Sequence, residues 1–193
     1  MKVVIVGPGS RSEGLQGYDK TWQFWGINAA YRSVAAPRWN RMFNLHKIAH
    51  LRRDVPQYVA WDSTFSQLNP KVPLYVVDSW GRLLANQRLF PRKELAKMPR
   101  GDYHASSFDW MVALAIHERA KIISLHGVGF ALDSPREEPI SARACLEYWC
   151  GVAQGKGITV WTASDCDIFY QYHLVRSRTV YGYDDVTMVE RRK

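Results

Sequence analysis

The residues best placed to do chemistry sit in short polar clusters, each directly after an apolar run or at the start of a helical pattern. Gly7-Pro8-Gly9-Ser10 follows the run at 2–6, Asn28 follows that at 23–27, and Asn44, His46 and Lys47 lie at the end of that at 41–45. Asp78 and Ser79 close the run at 72–77, His104-Ala105-Ser106-Ser107 opens a helical stretch, and His126-Gly127-Val128-Gly129 follows the run at 121–125. Ser164 and Asp165 come after the run at 158–161.

Each cluster supports a chemical reading and a plainer one. Gly7 and Gly9 would let backbone approach a phosphate while the Ser10 hydroxyl donates to it; alternatively the four residues make a tight turn. Ser10 with Glu13 also fits a capping box. The Asn28 amide suits a base, ribose or sugar hydroxyl, or else forms a turn. In an extended chain Asn44 and His46 alternate onto one face, so both can reach one ligand, with His46 as proton carrier. Asp78 can orient a hydroxyl, bind a metal or cap its turn. Ser106 and Ser107 give a helix start two hydroxyls and free amides, an anion site with His104 beside it as acid or base, or a simple cap. Gly127 permits close approach of backbone or ligand.

The elements that must position these groups alternate between strand and helix. The run at 2–6 (KVVIV) is short, β-branched and ended by glycine, as expected of a buried parallel strand. A helix over 106–119 starts at Ser106-x-x-Asp109 and repeats Phe108, Met111, Val112 and Ala115 on one face. A second over 141–154 carries Ala142, Cys145, Leu146, Trp149, Cys150 and Ala153 at helical spacing, and Gly155 and Gly157 stop it. Residues 11–21, with Gly14 and Gly17, supply no long helix. The pattern predicts a single α/β domain over 1–193, a Rossmann-like three-layer fold with a mostly parallel sheet. Residues 170–193 read as a C-terminal extension, with 179–183 an edge strand or ordered tail. In such sheets ligands sit beyond the carboxyl ends of the strands, which is where the polar clusters fall.

Composition bounds the function. A formal charge of +8 favours phosphates, nucleic acid or anionic surfaces. It concentrates in two stretches, 32–54 and 82–100, each with six basic residues against one acid. Aromatic residues reach 13% with eight Trp, enough to include base-stacking platforms beside the core. No run approaches a membrane span and no secretory signal opens the chain, so a cytoplasmic setting is expected. Three cysteines, two of them five apart on a helix, argue against a disulfide framework. The sequence holds no C-x-x-C, H-E-x-x-H, P-loop or G-x-S-x-G, so zinc sites, Walker NTPases and common serine hydrolases are disfavoured, and no metal site is expected.

The set GPGS, WGIN, FNLH, HASSFDWMVALAI, ISLHGVG, EYWCG and the closing YGY resembles a group of bacteriophage-encoded Rossmann-like proteins. More distantly it is similar to MptE-like pyrophosphokinases and to bacterial sialyltransferases that use CMP-sugars. The resemblance implies nucleotide handling. The chain departs from the G-x-G-P-S order of those relatives, and Gly129 stands where an acidic residue often follows, which removes a carboxylate for metal or ribose. Three functions remain open. One is a transferase, in the first instance a metal-free glycosyltransferase using a nucleotide sugar, with His46 or His104 moving the proton. The second is a non-catalytic nucleotide binder that senses or sequesters its ligand. The third is a basic nucleic-acid-binding protein of phage DNA metabolism. No cofactor beyond a nucleotide or nucleotide-sugar ligand is implied, and no membrane partner.

Overall fold

The computed structural model describes residues 1–28, 30–47, 69–78, 86–130 and 137–169. The expected strand at 179–183, the extension at 170–193 and Ser79 lie outside these residues.

Among the described residues seven parallel strands form one sheet. They are β1 (Lys2–Val6), β2 (Trp22–Ile27), β3 (Arg41–Asn44), β4 (Leu74–Val76), β5 (Gln87–Leu89), β6 (Ile122–His126) and β7 (Thr159–Thr162). Among the described residues the helices are α1 (Ala30–Ser33), α2 (Arg92–Leu95), α3 (Ser107–His117) and α4 (Glu137–Gly155). A 3-10 turn spans Ser12–Leu15.

The spatial order is β5-β4-β3-β2-β1-β6-β7. The chain therefore walks outward from β1 to β5, crosses back through α3, and resumes on the other flank of β1. The boundary between β1 and β6 is the topological switch point, where adjacent loops leave in opposite directions and open a crevice. β1 is in register with β6 from Lys2↔Ile122 to Val6↔His126, and with β2 from Lys2↔Trp22 to Val6↔Gly26.

Alternation along the central strands builds two cores. Val3 and Ile5 face α3 and α4 and join Trp25, Phe43, Met111, Leu114, Leu146 and Trp149. Val4 and Val6 face the other way, onto Leu15, Phe24 and Val34. The first layer is thick because both long helices pack there. The second is covered by the 3-10 turn and the segment after α1.

Most strand ends fall within a residue or two of expectation, and the exceptions have local causes. β3 stops at Asn44, one residue early, because the Asn44 side-chain oxygen accepts the His46 amide at 3.3 Å and turns the chain. β4 starts late because the Val72 amide is spent on a turn to Asn69 and Pro73 follows. β6 is shifted by one residue, starting at Ile122 and taking in His126, which the sequence placed in the loop. The Ser10–Glu13 capping box does not form: the 3-10 turn starts after Arg11, with no side-chain cap. By contrast, Ser106 and Asp109 make the full reciprocal box at the head of α3.

Met111 sits at the centre of the larger core with no exposed surface. Met111→Ala should lower the free energy of unfolding by about 2–5 kcal/mol through lost burial and the cavity left behind. Urea denaturation followed by far-UV circular dichroism checks this; a change below about 1 kcal/mol would place Met111 outside the core.

Candidate functional site

The turns after β1 and β6 meet backbone to backbone. The Gly7 amide donates to the His126 carbonyl at 2.8 Å, extending the ladder one step past the strands. A Cβ on Gly7 would strike the Gly127 carbonyl oxygen, and a Cβ on Gly127 would overlap Ser10 N. Gly127 also has φ of 60°, a conformation that side chains disfavour. Gly7 is thus required by the Gly127 carbonyl and Gly127 by its φ and the Gly9–Ser10 backbone, while Gly9 is exposed.

Asp165 fixes this junction from the turn after β7. One carboxylate oxygen accepts the Gly127 amide at 2.8 Å and the other the Arg11 amide at 2.9 Å. Loops that are distant in sequence are tied to one carboxylate, and Ser10 is held beside it.

The head of α3 is built on a second carboxylate. Asp109 is fully buried and accepts from Ala105 N (3.0 Å), Ser106 N (2.7 Å) and Ser106 Oγ (3.0 Å), while its other oxygen lies 2.7 Å from His104 Nδ1. Ser106 Oγ in turn accepts the Asp109 amide at 3.3 Å. The Ala105 and Ser106 amides and the Ser106 hydroxyl, read from sequence as an anion site, are therefore engaged by the protein's own carboxylate. Ser107 is the first residue of the helix and is half-buried. The His104 ring stacks on Trp110 at 3.5 Å and on Trp149 at 4.8 Å, each 10° from parallel, and its side chain is only 2% exposed. That packing makes His104 part of the wall.

On the opposite face of β6, Tyr18 Oη lies 2.6 Å from Ser124 Oγ and 2.7 Å from His126 Nε2. His126 Nδ1 faces the Gly14 backbone. Burial pushes the His126 imidazole below its ordinary value of 6.5, against a smaller upward pull from Asp165. Burial also raises the Tyr18 phenol, partly offset by its bond to Ser124.

The flank at β2–β4 is more open. Asn28 takes a left-handed conformation, φ 51°, and donates its amide to the Phe43 carbonyl at 2.8 Å. Asn44 is fully buried at the end of β3. Immediately beyond it, Leu45, His46 and Lys47 line a cavity of about 220 Å³ with Val77, Phe90, Arg92 and Trp110. Asp78 is exposed one residue past Val77 and does not line the cavity.

Five buried side-chain atoms have no hydrogen-bond partner among the described residues: Ser10 Oγ, Asn28 Oδ1, Asn44 Nδ2, His104 Nε2 and His126 Nδ1. All five lie at the carboxyl end of the sheet: Ser10 and Asn28 follow β1 and β2, Asn44 ends β3, His104 precedes α3, and His126 ends β6 on the opposite face. Leaving such an atom unsatisfied costs about 1–3 kcal/mol, so folded proteins rarely gather them without a use.

No protein-family model and no curated protein matches this sequence. Among solved structures, the chain is similar to the sialyltransferase CstII from Campylobacter jejuni in complex with cytidine-5'-monophosphate, at 12% identity and a TM-score of 0.49, covering 86% of this chain and 81% of that one. It is similar also to the same enzyme with the substrate analogue CMP-3FNeuAc, at 14% identity and a TM-score of 0.48, covering 84% and 80%.

The structure thus brings Gly7, Gly9, Ser10, Asn28, Asn44, His46, Asp78, His104, Ser106, Ser107 and Gly127 to one end of the sheet, through different roles. The sequence reading passed over Tyr18, Arg92 and Trp110 as site residues. Among the described residues no three His, Cys, Asp or Glu side chains converge as metal ligands. Cys150 and Cys166 are buried thiols pushed up to about 12 by desolvation, which takes them out of nucleophilic chemistry.

Because the folded protein holds His126 below its unfolded value, the unfolded chain takes up this proton first on acidification. Stability linked to His126 is full above about pH 6.5 and falls as the pH drops towards the folded-state value. Chemical denaturation of wild type and His126→Gln across pH 5 to 8 should show a shallower acid decline in the variant. Identical slopes would mean His126 is not the group responsible.

Proposed function

We propose that this protein binds a nucleotide sugar across the carboxyl edge of the sheet and transfers its glycosyl group to an acceptor hydroxyl. The observation that carries the reading is the gathering of the five unpartnered buried polar atoms at that edge. Of the five, the Ser10 hydroxyl and the Asn28 and Asn44 amides suit the uncharged hydrogen-bonding surface of a base and a sugar. Lys47 and Arg92 suit phosphate, and His46, exposed at the cavity, is placed to exchange a proton with an entering hydroxyl.

In the step proposed, His46 takes the proton of the acceptor hydroxyl as its oxygen bonds to the anomeric carbon. The bond from that carbon to the phosphate oxygen breaks, and the nucleotide leaves with the electron pair. Basic side chains stabilise the departing charge electrostatically. His104, closed between two indoles, acts as a positioning residue. Glycine turns, Asn28 and Asn44 orient the ligand. As a phage-encoded protein, the setting that the sequence resemblance implies, it would work in the host cytoplasm.

Thermal-shift screening against nucleoside mono-, di- and triphosphates, CMP- and UDP-sugars and NAD tests the binding half. A ligand at a hundredfold its Kd should stabilise the fold by about 2.7 kcal/mol. No shift at millimolar concentration would overturn the reading. With the ligand in hand, His46→Ala should lower turnover about 100-fold at nearly unchanged Kd. Binding without any wild-type turnover would make the protein a sequestering or sensing protein, and affinity confined to polynucleotides and falling steeply with salt would make it a nucleic-acid binder.

A further inference from the structure

The carboxyl edge has two places where backbone amides converge as they would on an anion, and the chain's own carboxylates fill both. At the switch point Asp165 takes the Gly127 and Arg11 amides at 2.8 and 2.9 Å. At the head of α3 Asp109 takes the Ala105 and Ser106 amides at 3.0 and 2.7 Å. A phosphate brought to either place would lose those donors and meet a like charge. At these two places, the first glycine turn and a helix start where such folds usually take phosphate, an internal carboxylate already holds the amides named.

Lys47 and Arg92 stand apart from both carboxylates. Both are exposed, both line the cavity of about 220 Å³, and neither pairs with a carboxylate among the described residues. The Arg92 guanidinium lies over the Trp110 ring, 5.4 Å from its centroid, which gives that long side chain a packed support. At about 220 Å³ the cavity is smaller than the range of whole-ligand pockets, roughly 300–1,000 Å³, and so matches one part of a ligand. Val77, Phe90 and Leu45 close it with apolar surface, and Asp78 stays outside the lining.

We infer that the phosphate of the ligand is held by Lys47 and Arg92 in this cavity between the ends of β3 and β4, and that the Gly7–Ser10 turn with Gly127 is a fixed wall, not a phosphate cradle. This rests on the nucleotide reading above and sharpens it. Ser10 Oγ then serves an uncharged part of the ligand.

Titration of isotope-labelled protein with inorganic pyrophosphate, followed by NMR, separates the two locations. The expected result is movement of the Lys47 amide and the Arg92 Nε–H signal, with the Gly127 and Arg11 amides unmoved. Calorimetry then compares cytidine with cytidine monophosphate, and uridine with uridine diphosphate, in wild type, Lys47→Met and Arg92→Met. Each variant should lose roughly tenfold of the preference for nucleotide over nucleoside and keep its nucleoside affinity. A preference that survives in the double variant, or pyrophosphate shifts greatest at Gly127 and Arg11, overturns the assignment. If nucleosides and nucleotides fail to bind while pyrophosphate still moves Lys47 and Arg92, the anion subsite stands and the nucleotide reading falls. If pyrophosphate does not bind wild type at all, the subsite falls.

Discussion

The contact on which the carboxyl edge depends is the interlocking of two glycine turns. Gly7 and Gly127 press backbone on backbone, and neither position leaves room for a side chain. They continue the pairing of the two central strands by one more hydrogen bond, from the Gly7 amide to the His126 carbonyl. Asp165 then locks the result by accepting one amide from each side. Packed cores and interfaces respond to such constraints by discrete rearrangement and not by gradual give. The junction sits at the switch point, where folds of this kind open their ligand crevice.

That closure divides the edge into two halves with different electrostatics. Around β1, β6 and the head of α3, backbone donors are matched by Asp165 and Asp109, so the local charge is balanced from within. Around β3 and β4, Lys47 and Arg92 carry charge that no carboxylate among the described residues offsets. The unpartnered Asn28, Asn44 and Ser10 atoms lie between. A domain of this kind has only about 5–15 kcal/mol of net stability, and an unsatisfied buried polar atom takes about 1–3 kcal/mol of it. The larger core lies behind α3 and α4, with Trp25 and Trp149 fully buried.

Local signals were legible in the sequence, and long-range ones were not. The run KVVIV reads as a buried parallel strand because both faces of β1 are covered. Ser106-x-x-Asp109 reads as a helix start because a capping box closes within four residues. β5 escaped notice because Gln87–Leu89 is three residues at a sheet edge, with Leu89 67% exposed and no apolar pattern. Gly7 and Gly127 announced close approach, but sequence cannot say to what; the partner proved to be another turn. Asp165 reaches Arg11 across 154 positions and Tyr18 reaches His126 across 108, separations at which no spacing rule operates. Lys47 was legible as the cation of the Asn44–Lys47 cluster, but Arg92 was visible only as a member of a basic stretch until the sheet order brought the two to the same cavity.

The same physics separates the two histidines that sequence alone treated as equivalent. A general base must come within hydrogen-bond reach of the proton it takes. His104 has the orienting carboxylate of a catalytic dyad, Asp109 at 2.7 Å, yet both faces of its ring are covered by indoles and its side chain is 2% exposed. Its ring bridges α3 and α4, since Trp110 belongs to one helix and Trp149 to the other. His46 has the opposite character: it follows a strand ended by the Asn44 turn, lies exposed, and lines the cavity that Lys47 and Arg92 share. The buried histidine therefore holds the architecture, and on the proposed reading the exposed one is left to meet a substrate.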